Sequence, residues 1–572
     1  MKVSRKLSIV AIGLFLVVGT ITSYDIIQKH RSSETVKMAQ TTQSNLVDRL
    51  TSSTGSNIHV LDYSDLDIEK VADVYQFETQ EKIQEQLLQL IESQTATFTQ
   101  PLIVSNPFLT NTTGLYLAFS TDGAVKISYR IDAQGYPSFE KNLKQNEEYS
   151  TSHQYQIIGC IPDVDNLITL TATTLDGQQQ QIQFHYTPPK LSTTSEMNYQ
   201  LSKQESDESL SEGLFAVIGN QAGEKATYLV DNDGYIRAEM PIVNYNSMRL
   251  VFNNQQEMFM AVSDSKIVKI NALGQVKQVL DLANTDYLLH HDYILNDKNQ
   301  LIALATSKTA KKQAGYVEDR IITIDLSTQE VTEIANFEEL LPDLYQKATG
   351  IEEHSNNKGY LDPVHINSLQ LTDNQQLLVS SRETSTILAL KPDEQGIYQV
   401  EYMMGDEAIW QGVGECGQLL LEKEGSFTSQ YGQHSITYET AEDLSAGQYY
   451  LSFFNNNSTI MDSRIDISLA KIADKTAGKT SKYMKYLVDE KTNSYKLVES
   501  FDVPYSAYVS SVQNYQNHII VDSGQQATFA EYTSSGKMIQ RFTQKTDTKY
   551  LYRVYKYDFK NYYFDFNRIN DS

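Results

Sequence analysis

The sequence predicts an all-β protein in which a six-bladed β-propeller forms most of the chain. The first observation is a repeat, an apolar strand that ends near Asp or Asn, turns and resumes, which occurs six times. The second is that a strand-like segment with a polar turn precedes five of the six units. The third is composition, since 37 Tyr against one Trp and 11 Pro suits pleated, half-buried strands. The units begin at Tyr228, Ile267, Ile321, Ile387, Tyr486 and Phe529.

Length and charge narrow the classes of function. At 572 residues the chain is long enough for several domains and a large core. It has 47 basic and 72 acidic residues and a formal net charge of −25, so no basic stripe is available to neutralise phosphates. We therefore expect no nucleic-acid partner, and an anionic substrate would need a local cationic pocket. The two cysteines, Cys160 and Cys416, cannot form a disulfide framework.

Residues 1–24 predict a targeting segment. Three basic residues precede an apolar run from Leu7 to about Thr22, which is the pattern of a signal or anchor. The run is near the lower length limit for a spanning helix, and no small-residue cleavage site is obvious. An uncleaved membrane anchor is therefore favoured over a removed signal peptide. Positive charge before the run places the rest of the chain outside, so we expect an exported, cell-surface protein.

Residues 25–100 predict a polar helical stalk that carries the body away from the membrane. Apolar residues between Val71 and Ile91 recur roughly at helical intervals. A simple spacer is the favoured interpretation, and a homodimer formed through this stalk is the alternative.

Residues 101–187 predict a small antiparallel β-sandwich that precedes the propeller. Short strand-like segments are separated there by DG, AQG and LDG turns. A linker follows at 188–212, because two prolines open a tract rich in Ser, Glu and Asp. The propeller is then expected to occupy 213–572.

Three histidine-containing segments stand at equivalent places in the repeats. They read HHD from His290, HIN from His365 and HSI from His434. Each begins a segment that we predict to be the innermost strand of a blade, and innermost strands line the central channel of a propeller. The imidazoles are therefore expected to converge at one mouth of the channel. A histidine at an equivalent position in each repeat can also be structural, through a bond to a backbone carbonyl.

These segments resemble those of the bacterial arylsulfate sulfotransferases, which move a sulfuryl group between phenols without a nucleotide sulfate donor. The shared elements are HHD at 290–292, HINS at 365–368, SSR at 380–382, and His434 about twenty residues before a Phe-Asn-Asn stretch at 454–456. The resemblance covers most of the chain beyond the stalk. It implies the same architecture, a β-sandwich followed by a six-bladed propeller.

The resemblance also implies a set of site residues. His434 matches the histidine that is transiently sulfated in that family. Of the two adjacent histidines, His290 is the better match and His291 is the alternative. The remaining matches are His365, Asn367 and Arg382.

Three positions depart from the usual pattern of that family. Pro363 stands where relatives usually have a bulkier residue. A stretch expected to read Phe-Asp-Asn-Gly reads Phe-Asn-Asn-Asn at 454–457. Glu383, rather than a basic or neutral polar residue, follows Arg382. No mapped functional group is lost, but substrate preference and activity level stay open.

Sulfuryl transfer suits these residue types. It resembles phosphoryl transfer, an in-line displacement through a loose transition state with negative charge on the peripheral oxygens. A neutral His434 would attack sulfur, and Arg382 would contact two sulfate oxygens. His290 and His365 would donate to the remaining oxygens or protonate the departing phenolate, and Asn367 would add a neutral donor. This scheme needs no metal and no other cofactor.

We therefore expect an enzyme that transfers a sulfuryl group from a phenolic sulfate ester to a phenolic acceptor by a ping-pong mechanism through a sulfohistidine. A hydrolase that uses the same residues is one alternative, since sequence does not tell whether a phenol or water resolves the intermediate. A non-catalytic propeller that serves as a binding or scaffold module is the other. A scaffold has no reason to keep His434, His365, His290 and Arg382 together.

Overall fold

The computed structural model describes residues 46–144, 149–191, 199–202, 205–220, 225–244, 248–349, 360–464, 466–473, 475–544 and 550–565. The predicted anchor at 1–24 and the beginning of the predicted stalk lie outside these residues. Among the residues that are described, no helix is long and apolar enough to cross a membrane.

The N-terminal domain is one seven-stranded sheet that folds over itself. Its strands are β1 (Ile58–His59), β2 (Leu102–Ser105), β3 (Leu115–Ala133), β4 (Phe139–Asn142), β5 (Ser150–Ile157), β6 (Asn166–Thr174) and β7 (Gln179–Tyr186). The long strand β3 pairs with β2 and β5 through its first half and with β4 and β6 through its second half. Its register shifts between Ser120 and Val125, where it changes partners. This arrangement confirms the predicted β-sandwich, with alternating residues of β6 buried.

Six sheets follow in the described chain, and they are the blades of the predicted propeller. The first blade is β9 (Leu214–Asn220), β10 (Lys225–Val230) and β11 (Ile236–Ile242), and the second is β12 (Leu250–Phe252), β13 (Met258–Ser263), β14 (Lys266–Ile270) and β15 (Val276–Asp281). The third is β16 (Tyr287–Leu295), β17 (Gln300–Ser307), β18 (Arg320–Asp325) and β19 (Val331–Asn336). The fourth is β20 (Ile366–Leu371), β21 (Leu377–Ser381), β22 (Thr386–Pro392) and β23 (Tyr398–Met404).

The last two blades complete the ring. The fifth is β24 (Glu422–Glu424), β25 (His434–Glu439), β26 (Gln448–Asn455), β27 (Ser481–Asp489) and β28 (Ser494–Val503). The sixth is β29 (Ser511–Tyr515), β30 (His518–Ser523), β31 (Thr528–Thr533) and β32 (Met538–Gln544). The C-terminal strand β33 (Tyr550–Tyr557) pairs with β9 and is the innermost strand of the first blade, while β8 (Tyr199–Leu201) adds to the outer edge of the sixth. The two ends of the propeller sequence are thus tied into the ring, which leaves no open seam.

The repeated turn of the sequence has a local physical cause. Asn271 ends β14, and its side-chain oxygen accepts hydrogen bonds from the backbone N–H groups of Leu273 and Gln275, both at 3.0 Å. Gly274 takes a φ of 87° in the same turn, a conformation that costs glycine little. Asp231 forms an equivalent turn in the first blade. Short Asn or Asp side chains that satisfy the backbone are therefore what reverses the chain in these units.

Apart from Phe77–Glu92, which has 16 residues, the helices of the described residues are short. They are Leu46–Thr51, Val71–Val74, Phe77–Glu92, Lys308–Gln313, Phe337–Leu340, Pro342–Lys347, Glu407–Trp410 and Leu469–Ile472, and the 3₁₀ turns are Cys416–Leu419 and Gly524–Gln526. The last helix belongs to the insertion between β26 and β27.

The described part of the predicted stalk is only partly helical, contains the short strand β1, and does not stand away from the body. The helix Phe77–Glu92 lies where the apolar periodicity predicts it, with Ile83 and Leu87 buried. The amide of Gln80 donates to the carbonyl of Phe108 at 3.0 Å, and its oxygen accepts from the N–H of Val276 at 3.3 Å. One helix thus contacts both the N-terminal domain and the second blade. Packing against these two surfaces buries the apolar face of the helix, whereas in a free spacer that face would stay exposed to water.

The innermost strands of neighbouring blades are joined around the central channel. The N–H of Leu369 donates to Asp292 at 3.1 Å, and the N–H of Ile436 donates to the hydroxyl of Ser368 at 3.1 Å. The hydroxyl of Ser435 in turn accepts from the N–H of Val512 at 3.2 Å. These bonds hold β16, β20, β25 and β29 in one ring, so side chains that stand at the same height on these strands meet.

Candidate active site

The three histidine segments lie at corresponding places on three consecutive innermost strands. His290 and His291 lie within β16, His365 immediately precedes β20, and His434 is the first residue of β25. All four histidines are largely buried, with His434 only 3% exposed. The fold thus gathers side chains that are far apart in the chain.

A backbone irregularity that recurs in all three blades orients these side chains. The register shifts between Leu289 and Tyr293 in β16, between Ile366 and Ser368 in β20, and between His434 and Thr437 in β25. His291, His365 and Ser435 have φ values of 53°, 45° and 56°, a left-handed conformation that is uncommon outside glycine. Such residues cost about 1–3 kcal/mol each and persist where surrounding contacts hold them, and bulges of this kind redirect side chains. The same device therefore recurs in three blades.

The two adjacent histidines take different places. The ring of His291 lies against the ring of His365, with centroids 4.8 Å apart, and against Tyr552 at 6.0 Å. His290 lies behind it, and the Nδ1 atoms of the two are 2.9 Å apart. Burial lowers the pKa of His290 to about 4 and the pKa of His291 well below its usual value, so both rings are neutral at pH 7. His291 is thus the member of the pair that meets His365 directly.

His365 is surrounded by carboxylates. Its Nδ1 lies 2.7 Å from Oε2 of Glu318 and in direct contact with Oδ2 of Asp362. Nη1 of Arg382 lies 3.4 Å from the same nitrogen. Burial lowers the pKa of His365, but the two carboxylates outweigh burial and raise it to about 10. His365 is therefore an imidazolium at neutral pH.

The pKa values of the two carboxyl groups shift in opposite directions. Burial raises the pKa of Asp362 to about 7, more than the attraction of His365 lowers it. For Glu318 burial acts in the same direction, but His365 and His291 outweigh it and lower the pKa well below its usual value. The donor atoms of His291, Glu318 and His365 lie within 4.8 Å of one another, which is close enough to hold a small cation.

His434 has neutral partners instead. Its Nδ1 lies 3.0 Å from the carbonyl oxygen of Gly432 and 2.7 Å from Oδ1 of Asn456. The amide nitrogen of Asn456 donates to the carbonyls of Ser506 and Val509, so the orientation of that amide is determined by its partners. Both partners of Nδ1 accept, so Nδ1 carries the proton and Nε2 has the lone pair. Burial lowers the pKa of His434 to about 3, and the ring is neutral.

Arg382 stands directly after β21 and beside His365. Its backbone N–H donates to the carbonyl of His365 at 3.1 Å, and its Nη2 lies 3.7 Å from Oδ2 of Asp462. Glu383, which departs from the family pattern, is buried and accepts from the N–H and hydroxyl of Ser463 at 2.6 and 2.8 Å. Glu383 thus holds the inserted segment that brings Asp462 beside Arg382.

Asn367 is completely buried, and its amide nitrogen donates to the carbonyl of Gln433 at 2.8 Å. One of its two N–H groups is therefore committed to the residue that precedes His434. This bond ties the fourth blade to the fifth next to His434.

The sequence assigns no role to several charged residues that lie beneath the histidines. Asp292 is fully buried and accepts from Nε of Arg249 at 2.6 Å. Nη1 of Arg553, on β33, lies 3.0 Å from Asp292, and its Nη2 donates to the carbonyl of Asn367 at 2.7 Å. The sequence signal for Arg553 was that it is a single arginine within an aromatic strand near the C-terminus. Its partner could not be found without the closure of the ring.

The arrangement suits chemistry on a tetrahedral anion. It combines one neutral imidazole with a free Nε2 lone pair, on His434, with one imidazolium, on His365, and the guanidinium of Arg382. The positive charges of His365, Arg382 and Arg553 add to burial in lowering the pKa of His434. A nucleophile that stays unprotonated beside cationic groups is what transfer of an anionic group requires.

Comparison with known families gives two matches along the chain. The family model described as arylsulfotransferase (ASST) matches residues 200–564, and the model described as the arylsulfotransferase Ig-like domain matches residues 102–189. No curated protein matches the chain.

Similar solved structures include virginiamycin B lyase from Staphylococcus aureus, with 11% identity and a TM-score of 0.29, covering 68% of this chain and 93% of the lyase. A putative 6-phosphogluconolactonase from Bacteroides fragilis has 10% identity and a TM-score of 0.32, covering 76% and 98%. At these scores neither likeness bears on the chemistry of the site.

Proposed function

Because the chain belongs to the arylsulfotransferase (ASST) family, as the match over 200–564 shows, we propose that it moves a sulfuryl group from a phenolic sulfate ester to a phenol through a sulfohistidine on His434. Membership makes the protein a sulfotransferase that uses no nucleotide sulfate donor, with an aryl sulfate as donor and a phenol as acceptor. The route through His434, and the ping-pong order, are our proposal.

The observation that carries the proposal is the hydrogen bonding of His434. Since Gly432 and Asn456 both accept from Nδ1, the lone pair is on Nε2, the atom that must attack sulfur. Because burial lowers the pKa of this ring to about 3, no proton has to be removed before attack. In the first half-reaction the Nε2 lone pair forms the N–S bond while the bond from sulfur to the aryl oxygen breaks.

Arg382 and His365 supply the positive charge. In a loose transition state, negative charge lies on the sulfuryl oxygens and on the departing aryl oxygen. The planar guanidinium of Arg382 suits two sulfuryl oxygens, and the imidazolium of His365 suits a third oxygen or the leaving group. His291 or His290 would contribute a further neutral contact.

The second half-reaction reverses the first with a different phenol. The acceptor gives up its proton to solvent, which replaces the proton that the phenolate of the first half-reaction takes up. The acceptor oxygen then forms a bond to sulfur, and the N–S electron pair returns to Nε2 of His434. The first phenol leaves before the second binds, so the kinetics are ping-pong.

We also propose that the protein acts outside the cell and is attached to the membrane. The basic residues and apolar run at 1–24 support this location. Protease treatment of intact cells would degrade an exported body and spare an intracellular one.

The test of function uses the full chain with 4-nitrophenyl sulfate, with and without phenol as acceptor. Phenol-dependent release of 4-nitrophenol is expected, together with one sulfuryl group on the peptide that contains His434 after donor is added alone. Sustained release without acceptor would replace the transferase with a hydrolase. No release from any of several aryl sulfates would favour a binding module.

A further inference from the structure

One nitrogen of His365 meets two carboxylates from separate parts of the chain. Glu318 precedes β18 in the third blade, and Asp362 precedes the first strand of the fourth blade. Oε2 of Glu318 lies 2.7 Å from Nδ1 of His365, and Oδ2 of Asp362 contacts the same atom. The function proposed above does not need two carboxylates there, since they weaken the field that attracts an anionic donor.

Glu318 is held firmly in place. Its backbone N–H donates to the hydroxyl of Thr306 at 2.8 Å, and its carbonyl accepts from the N–H of Ile366 at 3.2 Å. Its φ of 58° is left-handed, a conformation that a glutamate adopts only where its surroundings impose it. The side chain is therefore directed at His365 by the fold of both blades.

The close contacts of Nδ1 assign the protons of His365. Nδ1 has three polar neighbours, and the two carboxylate oxygens are closer than the guanidinium of Arg382, which lies at 3.4 Å. Nδ1 therefore carries a proton that points at the carboxylates. A second proton on Nε2 completes the imidazolium, and that N–H is the one that remains for the substrate.

We propose that Glu318 and Asp362 are positioning residues that keep His365 as an imidazolium, so that its Nε2 proton is delivered to the aryl oxygen as the S–O bond breaks. The inference rests on the proposed sulfuryl transfer and assigns the acid within it.

The step balances. The Nε2 lone pair of His434 forms the N–S bond, and the electron pair of the breaking S–O bond stays on the aryl oxygen. That oxygen takes the Nε2 proton of His365 and leaves as a neutral phenol, so His365 becomes neutral. The acceptor phenol then returns a proton to His365 as its oxygen attacks sulfur and the N–S pair returns to His434.

The acidity of His365 is matched to this task. The two carboxylates raise its pKa to about 10, and a phenol such as tyrosine has a pKa of about 10. A proton donor is most effective when its pKa is near that of the group it protonates, and such donors contribute about 10²–10⁴-fold.

A cation held by His291, Glu318 and His365 is the competing explanation of the same contacts. Ligands of a tetrahedral ion with bonds of about 2.1 Å stand roughly 3.4 Å apart. The 2.7 Å between Nδ1 of His365 and Oε2 of Glu318 is shorter than that separation and is the distance of a close ion pair. The geometry therefore favours the ion pair over the metal.

The test compares two donors whose leaving groups differ in acidity, 4-nitrophenyl sulfate and phenyl sulfate. Glu318→Gln and Asp362→Asn keep the size of the side chain and remove its charge. For each we expect kcat/KM for phenyl sulfate to fall about 10²-fold and kcat/KM for 4-nitrophenyl sulfate to fall less than tenfold, since nitrophenolate leaves without a proton. Glu333→Gln is the matched control, because Glu333 contacts Arg320 and Tyr287 in the third blade. It should leave both values unchanged.

A loss of the same size for both donors would overturn the inference, because a purely structural role does not discriminate between leaving groups. An unchanged kcat/KM for phenyl sulfate in both variants would also overturn it. So would stoichiometric divalent metal in the wild type that Glu318→Gln removes, since Glu318 would then be a ligand. If one variant does not fold, the other decides. Wild-type protein that cleaves neither donor would instead overturn the proposed function itself.

Discussion

His365 and His434 begin the innermost strands of neighbouring blades, and yet their imidazoles have opposite charge states. Nδ1 of His365 faces the carboxylate of Glu318 at 2.7 Å, whereas Nδ1 of His434 faces the amide oxygen of Asn456 at the same distance. Burial lowers the pKa of both rings. The carboxylates raise the pKa of His365 to about 10 all the same, while the pKa of His434 stays at about 3.

The difference teaches that position and charge have separate origins. The symmetry of the propeller and its bulges put both rings at one mouth of the channel. One choice of partner, a carboxylate or an amide, then makes the first an acid and the second a nucleophile. Substitutions at either ring or at its partners test this contrast.

Replacement of His434 removes the neutral imidazole that we propose as the nucleophile. His434→Ala should lower kcat for sulfuryl transfer by about 10⁴-fold or more, since the proposed covalent intermediate forms on Nε2 of His434. Transfer from 4-nitrophenyl sulfate to phenol measures the loss. His185→Ala, in the N-terminal domain, is the matched histidine control and should be fully active. A His434→Ala variant within tenfold of wild type would contradict the proposal.

Arg382→Lys tests whether the cationic side needs a planar fork or only a charge. We expect kcat/KM for the donor to fall about 10²-fold, because an ammonium cannot contact two sulfuryl oxygens as the guanidinium does. Arg130→Lys is the control, since Arg130 lies on the surface and pairs with Asp132. Equal activity of the Arg382→Lys variant and the wild type, measured under donor-limited conditions, would mean that charge alone suffices.

Asn456→Asp gives His434 the kind of partner that His365 has. A carboxylate at Nδ1 should raise the pKa of His434, and the protonated ring cannot attack sulfur. Each unit by which the pKa exceeds the pH lowers the neutral fraction about tenfold. The acidic limb of the kcat/KM profile should therefore move to higher pH.

The control for that change is Asn457→Asp, since the amide of Asn457 donates to Thr480 rather than contacting His434. Its profile should match the wild type. An Asn456→Asp profile with an unmoved acidic limb would show that Asn456 does not set the protonation of His434.

The smallest effect is on stability in acid. His290 and His434 have pKa values lowered by burial to about 4 and 3, so the unfolded chain takes up protons below pH 6.5 that the folded chain does not. Their contribution is present above pH 6.5 and is lost as the pH falls. The melting temperature should therefore decrease from pH 7 to pH 5, and less steeply in His434→Gln. Parallel curves for the two proteins would contradict this.

Much of the fold could be predicted from the sequence because its signals are local. Each strand–turn unit, with a residue such as Asn271 or Asp231 at the turn, predicts one blade. The number of units therefore predicts the number of blades in the propeller. The helix at 77–92 could also be predicted from its periodicity. Its packing against Phe108 and Val276 could not, because a helical pattern does not say which surface will cover its apolar face.

The candidate site divides in the same way. His365, His434 and Arg382 could be found because each stands in a recognisable segment of a repeat. Glu318 could not, since nothing in its own segment marks it as the partner of a histidine. Asn456 stands in a recognised stretch and Asp362 lies three residues before His365, but the sequence did not pair either side chain with its imidazole.

The sequence by itself determined the blades, the domain order and the kinds of side chain that each innermost strand begins with, because these follow from patterns within a few dozen residues. Only the tertiary structure decided which histidine is charged. The pKa of a buried imidazole depends on the atoms within about 4 Å of it. At His365 these atoms include Glu318 of the preceding blade as well as the nearby Asp362. Closure of the ring by β33, which puts Arg553 beneath the histidines, was decided in the same way.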